Sequence, residues 1–173
     1  MRSFLLCFLL VCSAGVLGAQ PVDQAGSPIL KGITQIALYV EVPHELEGVE
    51  VSWSKLQTEI ELSFRKAGLR VVRIGSPEEM NAAVRAAPQQ PVLEVVLNSV
   101  SIQGGMAHSF YVRSDLQEYA QILRLPNGWA NRVRSWGRLK SGVVPTDRLG
   151  AIRIVALDQT NEFLNEWLAA NAK

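Results

Sequence analysis

The order of apolar patterns along this chain predicts an α+β sandwich, with elements in the order βαβ(α)βββα. The expected architecture is a mixed sheet with two long helices packed on one face. Three observations predict it. An alternating segment is followed by an amphipathic helix and a β-branched segment, the pattern of a crossover unit. Long strand-like segments separated by glycine turns then fill residues 92–140. A helical stripe closes the chain.

The first nineteen residues read as a secretory signal peptide. Arg2 is a positive n-region, residues 4–11 are an apolar run broken only by Cys7, and residues 13–19 are small, with cleavage expected after Gly18 or Ala19. The run is too short and wrongly flanked for a membrane span. Residues 20–31, rich in Gln, Pro, Asp, Gly and Ser, read as a flexible leader, and residues 32–173 as a single domain.

Within that domain, Ile36, Leu38, Val40 and Val42 share one face of a half-buried strand over 33–42. Trp53, Leu56, Ile60, Phe64 and Ala67 form the stripe of a helix over 52–67, which Gly68 ends. Residues 69–74 form a second strand, parallel to the first. Ser76-Pro77-Glu78-Glu79 is a capping box opening a short helix that stops before Pro88. Residues 92–102 are apolar on both faces, as in a central strand. Gly104-Gly105 makes a turn into a long strand over 108–125, Pro126-Asn127-Gly128 makes another, and residues 132–140 complete a meander. After Pro145 and Thr146, the residues Leu149, Ile152, Ala156, Phe163, Trp167 and Ala170 give the last helix a core-facing stripe.

Composition excludes several chemistries. Both cysteines, Cys7 and Cys12, lie in the leader, so an exported mature chain has neither disulfide, thiolate zinc site nor cysteine nucleophile. Cys12 follows Val11 and Cys7 lies too near the start, which argues against a lipid anchor. Without Arg2 the chain balances sixteen Lys plus Arg against sixteen Asp plus Glu. That zero net charge argues against coating nucleic acid. The expected location is the periplasm or the medium of a bacterium.

The helix closing on Lys66-Ala67-Gly68 and the ending from Phe163 to Asn171 resemble small exported bacterial proteins. The layout over residues 33–171 is similar to the accessory α/β domains of envelope assembly proteins, such as the amino-terminal domain of TolB and the CsgG and LpoB group. The resemblance implies an accessory or interaction role and carries no catalytic residue.

No constellation of catalytic or cofactor residues stands out, and no cofactor or metal is expected. His108, Ser109 and Asp115 have the residue types of a triad, but neighbours in a strand point to opposite faces, and no nucleophile elbow is present. Glu45, Glu47 and Glu50 after His44 lack the spacing of a calcium loop. Gly104-Gly105 precedes no phosphate-binding helix.

The remaining candidate is a sheet face. A period of two places Arg132, Arg134, Trp136, Arg138 and Lys140 together, beside Tyr111, Arg113 and Tyr119 of the preceding strand. Between Tyr119 and Thr146 there is no acidic residue. Arginine and aromatic side chains are enriched at recognition surfaces. The expectation is therefore a non-catalytic envelope accessory protein that holds a protein or an anionic glycan through Tyr111, Arg113, Tyr119, Arg132, Arg134, Trp136 and Arg138. The alternatives are a self-associating structural subunit and, lower in rank, a hydrolase acting through carboxylates. Basic residues that merely solvate an edge strand would produce the same pattern.

Overall fold

The computed structural model describes residues 27–43, 55–87, 90–121 and 129–172. Five strands form one sheet in the order β2-β1-β3-β4-β5: β1 (Gln35–Glu41), β2 (Arg70–Ile74), β3 (Val92–Ile102), β4 (Ala107–Gln121) and β5 (Trp129–Pro145). The helices are α1 (Leu56–Lys66), α2 (Pro77–Ala86) and α3 (Gly150–Asn171). β1 runs parallel to β2 and β3, and β3, β4 and β5 are antiparallel. The order, the mixed sheet and the central place of β3 are those read from the sequence.

Local chemistry sets the boundaries. Gly68 takes φ +94°, and its N–H and that of Leu69 bond Arg65 O and Phe64 O at 3.0 Å, closing α1 with a Schellman motif. Ser76 Oγ accepts from the Glu79 N–H at 3.2 Å, while the Glu79 carboxylate accepts from the Gly75 N–H at 2.7 Å. The capping box thus reaches one residue further back than its usual form. Gly104 and Gly105, at φ +64° and +93°, turn β3 into β4. The expected signal peptide, Trp53, the acidic loop at 44–50 and the turn at 126–128 lie outside the described residues.

α1 and α3 pack on one sheet face, as expected. Leu56, Ile60 and Phe64 meet Ile152, Ala156 and Phe163 over Ile36, Leu38, Leu93, Val95, Leu97, Val112 and Leu116. Arg153 of α3 is ion-paired with Glu59 of α1. α2 covers the opposite face at Ala37, Tyr39, Ile74 and Val92 through Met80. The core also contains polar groups. Gln159 is fully buried, accepting from Ser114 Oγ at 2.8 Å and donating to Val112 O at 3.0 Å. Each polar atom of its amide is thereby satisfied, as burial requires.

The domain begins earlier than expected. Residues 28–30 form one 3₁₀ turn, and Leu30 is fully buried. Asn171 donates to Leu30 O at 3.0 Å and accepts from the Gly32 N–H at 2.8 Å. These residues belong to the packed domain rather than to a flexible leader. Polar composition concealed one apolar anchor, Leu30, flanked by hydrogen bonds to the last turn of α3.

Candidate functional site

The residues of the expected recognition face divide between the two sides of the sheet. Leu116 pairs with Trp136, but the next residue, Gln117, pairs with Arg134, so Ser135 is an extra residue in β5. A one-residue bulge reverses the side of every later side chain. From Trp136 onward the even-numbered residues face α3, and Leu139, Ser141 and Val143 face the other way. The strict alternation assumed from 132 to 140 therefore fails at Ser135.

Trp136 and Arg138 consequently lie with the protein's own helix. Trp136 is 6% exposed, packs edge-on to Phe163 at 5.1 Å and donates to Glu166 Oε2 at 2.9 Å. The Arg138 guanidinium lies 5.1 Å from the Trp136 ring and 2.5 Å from Glu166 Oε1. Lys140 reaches Glu162 at 2.7 Å. These three fasten β5 to α3.

Tyr111, Arg113 and Arg134 occupy the opposite face. Tyr119 is paired in register with Arg132, in step with the Gln117–Arg134 pair. Arg113 and Arg134 are compensated. Arg113 Nε is 3.2 Å from Asp115 Oδ2 and its Nη2 is 3.5 Å from Glu94 Oε2, while Arg134 Nη1 is 3.6 Å from Asp115 Oδ1. Gln117 Nε2 donates to Glu94 Oε2 at 2.5 Å. Glu94 and Asp115 are opposite each other in register and both are buried, so the two arginines offset a like-charge pair. The expected cationic patch is instead two ion-paired clusters, one on each face. Tyr39, beside Glu94 in register, has its hydroxyl pKa raised by burial and then by Glu41, Glu94 and Glu78.

Gly137 makes the Asp115–Arg134 approach possible. A Cβ there would lie 2.5 Å from Asp115 Oδ1 and 2.8 Å from Arg134 Cδ, closer than such atoms pack. Gly137→Ala should cost about 1–3 kcal/mol in urea unfolding, the usual penalty for overpacking. Part of that cost should vanish in an Arg134→Ala background, where one of the two obstructing side chains is gone. An additive result would mean that Asp115 alone sets the penalty.

Beyond this polar row the face exposes four large apolar side chains among small polar ones. In successive rows of paired residues stand Val96–Arg113–Leu139, Asn98–Tyr111–Ser141 and Val100–Ser109–Val143. Val100 is 59% exposed, Leu139 67%, Val143 64% and Tyr111 37%. Leu139 and Val143 were missed because alternation assigned no recognition role to the apolar positions of β5. Their sequence signal was present: Leu139 and Val143 alternate out of phase with Trp136 and Val144, so on a strand covered by helices on one side only, one set is exposed.

The triad types do not converge. His108 Nδ1 lies 2.9 Å from Ser99 Oγ, Ser109 is exposed on the other face, and Asp115 belongs to the ion-paired row. Among the described residues no three metal-ligating side chains cluster, and no helix is long and apolar enough to cross a membrane.

Fold and site together define an α+β sandwich with one sheet face half covered. No family model and no curated protein sequence matches the chain. Among solved structures, the PelC dodecamer of Paraburkholderia phytofirmans is similar at 14% identity and a TM-score of 0.43, over 83% of this chain and 92% of that one. A minor lipoprotein of Acinetobacter baumannii is similar at 12% identity and a TM-score of 0.39, over 80% and 94%. We assign no family from these likenesses.

Proposed function

We propose that this chain is a non-catalytic, exported accessory protein that holds a protein partner on the open face of β3, β4 and β5. The observation that supports this reading is the exposed group of Val100, Tyr111, Leu139 and Val143, bordered by Arg113. Exposed apolar side chains gathered in adjoining rows, with a polar border, mark an interaction surface. The arrangement favours a protein over an anionic glycan for two reasons. Arg113 and Arg134 are already matched by Glu94 and Asp115, and aliphatic side chains offer a polyanion nothing. The leader read in residues 1–19 supports a site of action in the bacterial envelope or beyond it.

The test is affinity capture from the native envelope with the protein and its Val100→Asp, Tyr111→Asp double variant. A partner recovered with the protein should be lost or reduced at least tenfold with the variant, at a nearly unchanged thermal midpoint. Exposed substitutions usually change stability by no more than about 0.5 kcal/mol. Equal recovery with both proteins would refute the assignment of this face.

A further inference from the structure

β5 ends the sheet, and no described residue pairs with its outer side. Long edge strands are normally guarded by charge, because their free N–H and C=O groups recruit other strands. Here the guards are turned away. Arg138 and Lys140 are folded onto Glu162 and Glu166 of α3, so the segment from Leu139 to Val144 presents no free charge beside its edge. The stretch is also free of register shifts, lying between the bulge at Ser135 and Pro145, where the strand ends.

We infer that β5 pairs with β5 of a second copy, antiparallel across a two-fold axis at Ser141, to make one continuous ten-stranded sheet. This goes beyond the proposed function, because it uses the main-chain edge and takes only Leu139 and Val143 from the open face. Self-complementarity selects the occupant and the register. With Ser141 opposite itself, Leu139 faces Val143 of the second copy, Lys140 faces Gly142, Arg138 faces Val144 and Gly137 faces Pro145. No like charges meet, and Leu139 and Val143 form apolar cross-strand pairs on the open side. Moving the axis to Lys140 sets that lysine against itself, and moving it to Leu139 sets Arg138 against Lys140. Moving it to Gly142 avoids repulsion but shortens the pairing and replaces the Leu139–Val143 pairs with Leu139 against Pro145. Among axes centred on a residue, which keep α3 of both copies on one side of the sheet, the Ser141 register is the longest one free of like-charge pairs.

The helices permit it. α3 packs chiefly on β4. Two copies of β4 would be separated by three strand spacings, about 14 Å. That exceeds the 8–10 Å between packed helices, so the two copies of α3 do not collide.

The register makes a specific test possible on the purified protein, by mass in solution over a concentration series. The unmodified chain should run at twice the chain mass. Leu139→Lys with Val143→Lys sets lysine against lysine at two symmetric places and should raise the dissociation constant at least tenfold. Leu139→Glu with Val143→Lys removes the same apolar pairs but sets glutamate against lysine, and should recover most of the dimer. A monomeric unmodified chain would overturn the inference, whether the edge is then free, covered by the chain's own amino-terminal segment or kept for another protein's strand. So would two double variants that behave alike. If either variant fails to fold, hydrogen exchange of the unmodified chain decides. Amides between Leu139 and Val143 should gain protection with rising concentration, and concentration-independent exchange would overturn the pairing. Failure here leaves the open-face reading standing, since that is read by partner capture with Val100 and Tyr111 changed and β5 intact.

Discussion

Replacing Phe163 by alanine should lower the unfolding free energy by about 3–5 kcal/mol, the range for removing a buried aromatic side chain. Phe163 is fully buried and joins three elements. Its ring lies 5.6 Å from that of Phe64 on α1 and 5.1 Å from that of Trp136 on β5. The lost side chain would leave a void bounded by parts that cannot all collapse inward, because α1, α3 and the sheet support one another. Phe64→Ala, on the other side of the same contact, should cost a similar amount. The double variant should cost less than the sum, since the first truncation already loosens the second ring. Urea unfolding measures all three. A loss below about 1 kcal/mol for both single variants would mean that the helix stripes do not form the core.

Trp167→Ala should cost a comparable 3–5 kcal/mol, with a distinct structural consequence. Trp167 is 8% exposed, and its Nε1 donates to Ile33 O at 2.8 Å across the core. With Asn171 it fastens residues 30–33 to the end of α3. Losing the indole should therefore release that segment, and amide exchange at residues 30–33 should accelerate more than exchange in β3. Trp167→Phe keeps most of the apolar volume and loses the hydrogen bond. It should cost less than the alanine variant, while still leaving Ile33 O without its partner. Equal exchange rates in both variants and the parent would show that Leu30 and Asn171 hold the segment without the indole.

The elements were legible because they rest on local rules. Glycine at a positive φ, the Ser76 cap and the 3.6-residue stripe of α1 each follow from a few neighbouring residues. The crossover of β1, α1 and β2 follows from handedness and reach. The site was only partly legible, for a reason that can be placed at one residue. The division of Tyr111, Arg113 and Arg134 from Trp136 and Arg138 depends on Ser135, whose identity does not announce a bulge. Its hydroxyl donates to Leu116 O at 3.3 Å, a contact visible only once the pairing of β4 with β5 is known. The charge balance was hidden for a related reason. The acidic partners of Arg134, Arg138 and Lys140 come from Asp115 on one side and from Glu162 and Glu166 on the other, all distant in sequence from the β5 cations they meet. A segment without acidic residues therefore read as cationic, although the fold pairs Arg134, Arg138 and Lys140 with carboxylates. The buried Gln159 escaped notice because a polar residue interrupting a helix stripe reads as a solvent-facing position until Ser114 and Val112 are placed beneath it.

The most direct test of the account is photo-crosslinking in the living cell, with a photoreactive amino acid placed at Tyr111 and, separately, at Ile154. Tyr111 lies in the middle of the open face on β4, away from the β5 edge, whereas Ile154 is 57% exposed on α3. The account predicts an adduct with one protein species from position 111, of a mass other than twice the chain, and none from position 154. No adduct from position 111, or the same adducts from both positions, would contradict the assignment of the open face as the recognition surface.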